Sequence, residues 1–98
     1  MNPIILEAYG NNVSARLRAQ GWTHLPVIKR GQHLVIYSQE PDGDKVNRAR
    51  FTWIHGQTFA LTIADSHGRW GETGNTGSLD ALLTLLIEQY GFVLADWS

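Results

Sequence analysis

The sequence predicts an α+β fold, in which a four- to five-stranded antiparallel meander packs an N-terminal and a C-terminal helix on one face. Apolar residues recur at helical spacing near both ends of the 98-residue chain. Between the ends, apolar and polar residues alternate in short runs separated by turn sequences. Because short turns join antiparallel neighbours, we expect consecutive strands to lie side by side. A chain of this length predicts one domain over residues 1–98.

The N-terminal helix is expected to begin at Asn2 and Pro3 and to run to Gln20. Proline suits the first helical position, where a backbone N–H has no partner within the helix. The residues that keep helical spacing are Leu6, Tyr9, Val13 and Leu17. The run "GNN" at 10–12 interrupts this pattern, which predicts a kink or two short helices.

The C-terminal helix is expected between Ser78 and Gly91. Ser78 is a favourable N-cap, because its side chain can accept a hydrogen bond from a backbone N–H of the first turn. Gly91 can end the helix in the left-handed conformation. One helical face is apolar and consists of Leu79, Leu82, Leu83, Leu86 and Tyr90.

Strands are expected at 22–29, 33–39, 46–54, 57–64 and 69–73. The segments "KRGQ", "EPDGDK", "IHGQ" and "DSHGR" predict the turns between them, because proline and glycine favour turn conformations. The stretch "GETGNTGS" at 71–78 is interpreted as a flexible connection to the last helix. It lacks the Gly-Lys-Ser/Thr ending of a phosphate-binding loop.

Parity assigns the two faces of the sheet. A three-residue loop at 54–56 would pair Trp53 with Gln57, Phe51 with Phe59 and so place the large apolar residues together. The expected core face contains Phe51, Trp53, Phe59, Leu61 and Ile63, joined by Leu25, Val27, Leu34 and Ile36. The expected outer face contains Arg48, Arg50, Thr52, Thr58, Ala60 and Thr62, beside His24, Val35 and Tyr37.

Composition excludes several classes of protein. The chain has no cysteine, so disulfides and thiolate chemistry are ruled out. No apolar run approaches the roughly 20 residues of a membrane-spanning helix. The start "MNPIILEAYG" lacks the basic region of a signal peptide, so we expect a cytoplasmic protein without membrane association. The net charge of −1 is uneven, because residues 1–50 carry seven basic and four acidic side chains.

The histidines do not predict a catalytic or metal site. In a meander, the strand between His55 and His67 separates them by about 26 Å, too far to share a metal ion. Asp65, Ser66 and His67 are adjacent on one turn, whereas a catalytic triad must converge in space. We therefore expect no catalytic residue, metal ligand or cofactor. Acidic turn residues leave open whether a cation binds there, and these are Asp42, Asp44 and Asp65.

The outer face is the best candidate for a functional surface. The predicted binding residues are Arg48, Arg50, Tyr37, Lys29 and Arg30. The first hypothesis is a non-enzymatic binding or regulatory module that contacts a protein partner or a second copy of the chain. The alternative is RNA or DNA binding, because cations and stacking rings occur together on nucleic-acid-binding sheets. If Trp70 or Trp97 is exposed, either would anchor a partner.

The segment "QGWTHLPVIKRGQHLVIYSQEPDG" at 20–43 resembles the start of HicA-type toxin domains. Both have a Gly-aromatic pair after the first helix, a Gly-x-His turn before the next strand, and an Asp-Gly turn. The resemblance implies an RNase centred on His33. The chain departs from the family at Gln32, where serine is usual, and it is longer and more acidic.

Overall fold

The fold is α+β, as predicted, with all five strands in one antiparallel sheet ordered β1-β2-β3-β4-β5. The computed structural model describes residues 1–65 and 67–95. The elements are α1 (Pro3–Ala19), β1 (Val27–Arg30), β2 (His33–Gln39), β3 (Lys45–His55), β4 (Thr58–Ala64), β5 (Trp70–Gly77), α2 (Leu79–Gln89) and a 3-10 helix (Gly91–Val93). Consecutive strands pair, so the sheet is a meander.

One hydrophobic core lies between the sheet and both helices. Helix α1 contacts β1, while α2 contacts β4 and β5. The buried core residues include Leu6, Val13 and Leu17 of α1, Leu34, Ile36, Phe51, Phe59 and Leu61 of the sheet, and Leu79, Leu82, Leu83 and Leu86 of α2. Both helices therefore cover the same face of the sheet.

Helix α1 is continuous, so the predicted interruption at 10–12 is wrong. The helix begins at the Asn2 cap, whose side chain accepts a hydrogen bond from the N–H of Ile4 at 2.7 Å. Gly10 is buried, and a Cβ at this position would lie 3.1 Å from Cδ2 of Leu34. Glycine costs about 1 kcal/mol in a helix. Here it allows α1 to lie close to β2, and this packing outweighs the low helix propensity.

Helix α2 begins as predicted, because Ser78 Oγ accepts a hydrogen bond from the N–H of Ala81 at 3.2 Å. Its end differs from the prediction, since Gly91 is not in the left-handed region. Gly91 instead opens the 3-10 helix. This short helix turns the chain back onto the sheet and buries Val93 and Leu94 in the core.

The β3–β4 hairpin has the predicted faces but a different register. Phe51 pairs with Leu61 and Trp53 with Phe59, two residues away from the predicted pairs. The turn is shorter than predicted, because His55 pairs with Thr58, and an irregularity between Trp53 and His55 compensates. Side chains alternate with a period of two, so a shift of two residues leaves the core face unchanged.

The ends of the sheet differ most from the prediction. Strand β1 is only four residues long. The glycine-rich segment is not a loop, because β5 continues to Gly77. A bulge accommodates it opposite Leu61: Thr73 Oγ1 donates to the carbonyl of Leu61 at 2.8 Å, and Gly74 has a φ of +77°. Backbone pairing thus continues through a sequence that has few side chains to pack.

Arg48 is buried, so its predicted place on the outer face is wrong. Ala49 pairs with Ile36 and Asn47 with Tyr37, which leaves Arg48 as the extra residue of a β-bulge. A bulge breaks the alternation of side chains and re-aims the residue that it adds. Arg48 therefore points to the helix side of the sheet, where it is 1% exposed.

The guanidinium of Arg48 joins the strands to the C-terminal segment. Its Nε donates to Ser38 Oγ at 3.0 Å, and its Nη1 donates to the carbonyls of Ala95 at 2.7 Å and Val93 at 3.3 Å. Its Nη2 lies 3.5 Å from Glu40 Oε1. A buried charge is tolerated when it is paired and hydrogen-bonded, and Arg48 meets both conditions.

We expect Arg48→Ala to lower the free energy of unfolding by about 3 kcal/mol, because it leaves buried hydrogen-bond acceptors without a donor. Urea denaturation monitored by tryptophan fluorescence measures this change. Arg18→Ala is the control, since Arg18 is exposed on α1 and should change the stability by less than about 0.5 kcal/mol. Equal effects of the two substitutions would contradict the role assigned to Arg48.

Candidate binding face

The sheet face opposite the helices is the candidate site, and we call it the outer face. Its residues follow from the strand register and from the alternation of side chains. They include Ile28 and Arg30 of β1, His33, Val35 and Tyr37 of β2, Lys45, Asn47, Arg50 and Thr52 of β3, Thr62 and Ala64 of β4, and Trp70 and Glu72 of β5. No helix of the described residues packs on this face.

The structure brings together three of the five predicted binding residues, namely Arg50, Tyr37 and Arg30. Lys29 does not join them, because it pairs with the core residue Leu34 and so lies on the helix side of β1. Arg48 is excluded by its burial. The outer face is therefore less cationic than the sequence suggested, which weakens any argument from charge alone.

Arg50 and Trp70 form the central contact of the outer face. The Cζ atom of Arg50 lies 4.5 Å from the centre of the Trp70 ring, within the range of a cation–π interaction. Around them, outer-face residues are buried without any helix above: Val35 is 7%, Thr62 3% and Ala64 2% exposed. Arg50 is paired with Val35 and Thr62, and Trp70 with Ala64, so these two long side chains lie next to the buried residues.

Arg50 has a donor without an acceptor. Its Nε atom is shielded from solvent, and within residues 1–65 and 67–95 no hydrogen-bond acceptor contacts it. The ion pairs of the described chain also leave Arg50 without a carboxylate. Native proteins contain few buried polar atoms of this kind, and each one calls for a physical explanation.

His33 lies beside Arg50 on the outer face. Its Nδ1 is 2.8 Å from Thr52 Oγ1, on the paired residue of β3. Burial lowers the pKa of His33 from its ordinary value, and the positive charge of Arg50 lowers it further. The imidazole therefore takes up a proton less readily than an ordinary histidine, and its Nδ1 shares one hydrogen bond with the Thr52 hydroxyl.

A second cation–aromatic pair extends the outer face toward the other end of the sheet. The Nζ atom of Lys45 lies 5.2 Å from the centre of the Tyr37 ring. Lys45 was not among the predicted binding residues, and the sequence did not predict which face Trp70 would occupy. The pairing of Trp70 with Ala64 places both on the outer face, a register that the β4–β5 turn alone does not specify.

The polar turns serve the backbone. Asp42 Oδ1 accepts a hydrogen bond from the N–H of Asp44 at 3.0 Å. Asp65 Oδ1 accepts from the N–H groups of His67 and Arg69 at 2.8 and 3.0 Å. The hydrogen bond from Arg69 is the main reason that the pKa of Asp65 is lowered. Such bonds are the usual role of aspartate in turns.

The described part of the chain contains no group of three metal-ligating side chains close enough to hold an ion. His55 precedes β4 and His67 follows it, so the two histidines lie at opposite ends of that strand and their predicted separation is confirmed. Ser66 and Trp97, which the sequence raised as a possible nucleophile and a partner anchor, lie outside the described residues. Within the described ranges, no helix has the length and apolar character needed to cross a membrane.

Comparison with protein-family models, curated proteins and solved structures finds no match to this chain.

The environment of His33 gives a testable result. In an NMR titration, we expect its pKa to lie below 6.5 in the parent and to rise, while staying below 6.5, in Arg50→Gln. The substitution removes the Coulomb effect of Arg50 but leaves the burial. Arg18→Gln is the control and should leave the pKa unchanged, because Arg18 lies on α1.

The same shift predicts the direction of a pH effect on stability. The folded state binds the His33 proton less tightly than the unfolded state does, so this contribution to stability is present above pH 6.5 and is lost as the pH falls toward the lowered pKa. Urea denaturation at several pH values should show a smaller loss on acidification in Arg50→Gln. A His33 pKa at or above 6.5 in the parent would contradict this description of the site.

Proposed function

We propose that the protein is a non-enzymatic binding module whose outer face contacts a protein partner through Arg50, Trp70 and Tyr37. The observation that supports this proposal most directly is the Arg50–Trp70 contact on a sheet face that no described helix covers. Tryptophan, tyrosine and arginine dominate the binding energy of protein interfaces, since they combine large contact areas with polar groups. The outer face carries all three residue types, with Tyr37 on β2, Arg50 on β3 and Trp70 on β5.

The outer face is a better candidate than either edge of the sheet. Exposed edges bind other strands only when they are long and regular. Strand β1 has four residues and ends with Lys29 and Arg30. Strand β5 carries a bulge around Gly74 that interrupts its regular pairing. Both edges thus have features that disfavour the addition of a further strand.

Charge favours a protein over a nucleic acid as the partner. Of the basic residues predicted for this surface, Arg48 is buried and Lys29 lies on the opposite side. The strands present Arg30, Lys45 and Arg50 against Glu72. Nucleic-acid binding depends on neutralising many phosphates, and a chain with a net charge of −1 has few cations for this purpose.

Nucleic-acid binding is the second candidate, because two of these cations lie against aromatic rings. Rings of this kind stack on unpaired bases. This candidate predicts that binding of single-stranded RNA or DNA weakens steeply with salt and is lost in Arg50→Ala. An oligonucleotide that causes no shift at low salt rejects it.

The proposed function is tested with a double variant, Tyr37→Ala/Trp70→Ala. A partner captured from the source cells and identified by mass spectrometry is produced separately, and its Kd is measured by calorimetry. We expect the double variant to weaken binding at least tenfold, since loss of a hot-spot residue costs about 2 kcal/mol or more. Ile4→Ala is the control, because Ile4 is a large apolar residue of α1, 78% exposed, on the opposite side of the sheet from the outer face.

An unchanged Kd in the double variant, or an equal loss in Ile4→Ala, argues against the outer face. Light scattering tests whether the partner is a second copy of the chain. In that case the parent should have a mass near twice 11.0 kDa, and the double variant should return to a monomer.

A further inference from the structure

We propose that Arg50 binds a carboxylate in an acidic segment of the protein partner, with Trp70 as the adjoining contact surface. This inference rests on the proposed function and adds the chemistry of the partner. It starts from the buried Nε donor of Arg50, which has no acceptor in residues 1–65 and 67–95. Its test separates the failure of this inference from the failure of the proposed function.

Arg50 is a partly buried cation whose Nε has no hydrogen-bond acceptor in the described residues. Strand β3 carries two arginines: Arg48 is buried and has carbonyl, hydroxyl and carboxylate acceptors, whereas Arg50 is partly buried. Among residues 1–65 and 67–95, Arg50 contacts the face of Trp70, and its Nε has no acceptor. A buried donor without an acceptor destabilises a protein by about 1–3 kcal/mol, and more when the group is charged. The shielded Nε can gain an acceptor only if Arg50 reorients, but the two Nη groups are not among the shielded atoms and can pair with a carboxylate of a partner directly.

The guanidinium group of Arg50 has a planar geometry that suits a carboxylate. A cation–π contact uses the charge of the group and none of its five N–H donors. The N–H bonds point outward in the plane of the guanidinium. Pairs of them match the two oxygens of a carboxylate, which often accept two parallel hydrogen bonds. Trp70 limits the orientations open to Arg50, so less side-chain entropy is lost on binding.

The cations of the outer face are spaced so that they would complement an acidic segment. Arg30 pairs with His33, Arg50 with Val35 and Lys45 with Gln39, so the three cations lie at successive levels along β2. At about 3.3 Å per residue, the levels of Arg30 and Lys45 are roughly 20 Å apart. Glu72 is the acidic residue that the strands place on this face. A short extended segment with several acidic residues matches this spacing better than a single carboxylate does.

The same arrangement favours an acidic polypeptide over a phosphate backbone. Glu72 lies at the level of Arg50, through the pairs Arg50–Thr62 and Thr62–Glu72. A continuous polyanion that crosses the sheet at this level meets that acidic side chain, whereas a polypeptide can place a carboxylate against Arg50 and a neutral residue against Glu72. Like charges in close contact disfavour the wrong partner and so contribute to specificity.

The test uses a phage library of random 12-residue peptides, selected on the intact protein. We expect the selected peptides to be enriched in Asp and Glu, and we expect Arg50→Gln to weaken their binding at least tenfold. Arg50→Lys, which keeps the charge but loses the planar pair of donors, should weaken it less than Arg50→Gln. Arg18→Gln removes the same charge from α1 and should leave the Kd within twofold.

A direct readout follows the donor itself. In a 15N-labelled sample, the Nε–Hε resonance of Arg50 should shift on titration with a selected peptide, while that of Arg18 should not. Near-UV circular dichroism of the tryptophans verifies that each variant is folded. A peptide that binds without moving the Arg50 resonance overturns the inference.

The remaining outcomes separate the two proposals. Selected peptides that require Trp70 but are not acidic and bind Arg50→Gln normally overturn the inference and leave the proposed function standing. Peptides that bind Arg50→Gln and Trp70→Ala as tightly as the parent, or a selection that yields no binder, overturn both. A twelve-residue oligothymidylate that binds through Arg50 more tightly than any acidic peptide overturns the choice of a polypeptide partner.

Discussion

The bulge in β3 at Arg48 is the constraint on which both the interior and the outer face depend. Arg48 and Arg50 are two residues apart, so in a regular strand their side chains would lie on the same face. The extra residue breaks this alternation, so Arg48 enters the interior while Arg50 stays outside. The buried guanidinium then fixes the C-terminal segment through the carbonyls of Val93 and Ala95. One backbone irregularity thereby closes the core and reduces the charge of the open face.

The outer face shows how a sheet with helices on one side limits its exposed apolar area. Val35 and Ala64 face away from the helices, yet both are buried. Arg50 and Trp70 lie over this region, because long side chains can cover apolar surface while their polar ends reach solvent. The cover is made of the residue types that protein interfaces use, so protection of the free sheet and recognition of a partner place compatible demands on the same side chains.

Much of the fold could be predicted from alternation, but the bulges could not. Alternation identified Phe51, Phe59 and Leu61 as one core face, and this assignment survived a two-residue error in the pairing. A bulge has no reliable sequence signature, since it is selected by packing on both strands. Without it, Arg48 was assigned to the outer face. Lys29 was grouped with Arg30 at the end of the strand, although alternation from Val27 places Lys29 on the helix side. Trp70 was left undecided because its orientation depends on the pairing across the β4–β5 turn.

The two arginines of β3 differ in how the described chain meets the hydrogen bonding of their guanidinium groups. Arg48 has acceptors for its donors, so its removal would leave buried acceptors without a donor and destabilise the fold. Arg50 has a shielded donor without an acceptor in the described chain, and it also disfavours protonation of His33. Natural sequences retain locally unfavourable groups mainly where function requires them. The proposed role of Arg50 in a complex fits this cost to the free protein, because a carboxylate of a partner would pair with the Nη groups of a guanidinium that has no carboxylate partner in the described chain.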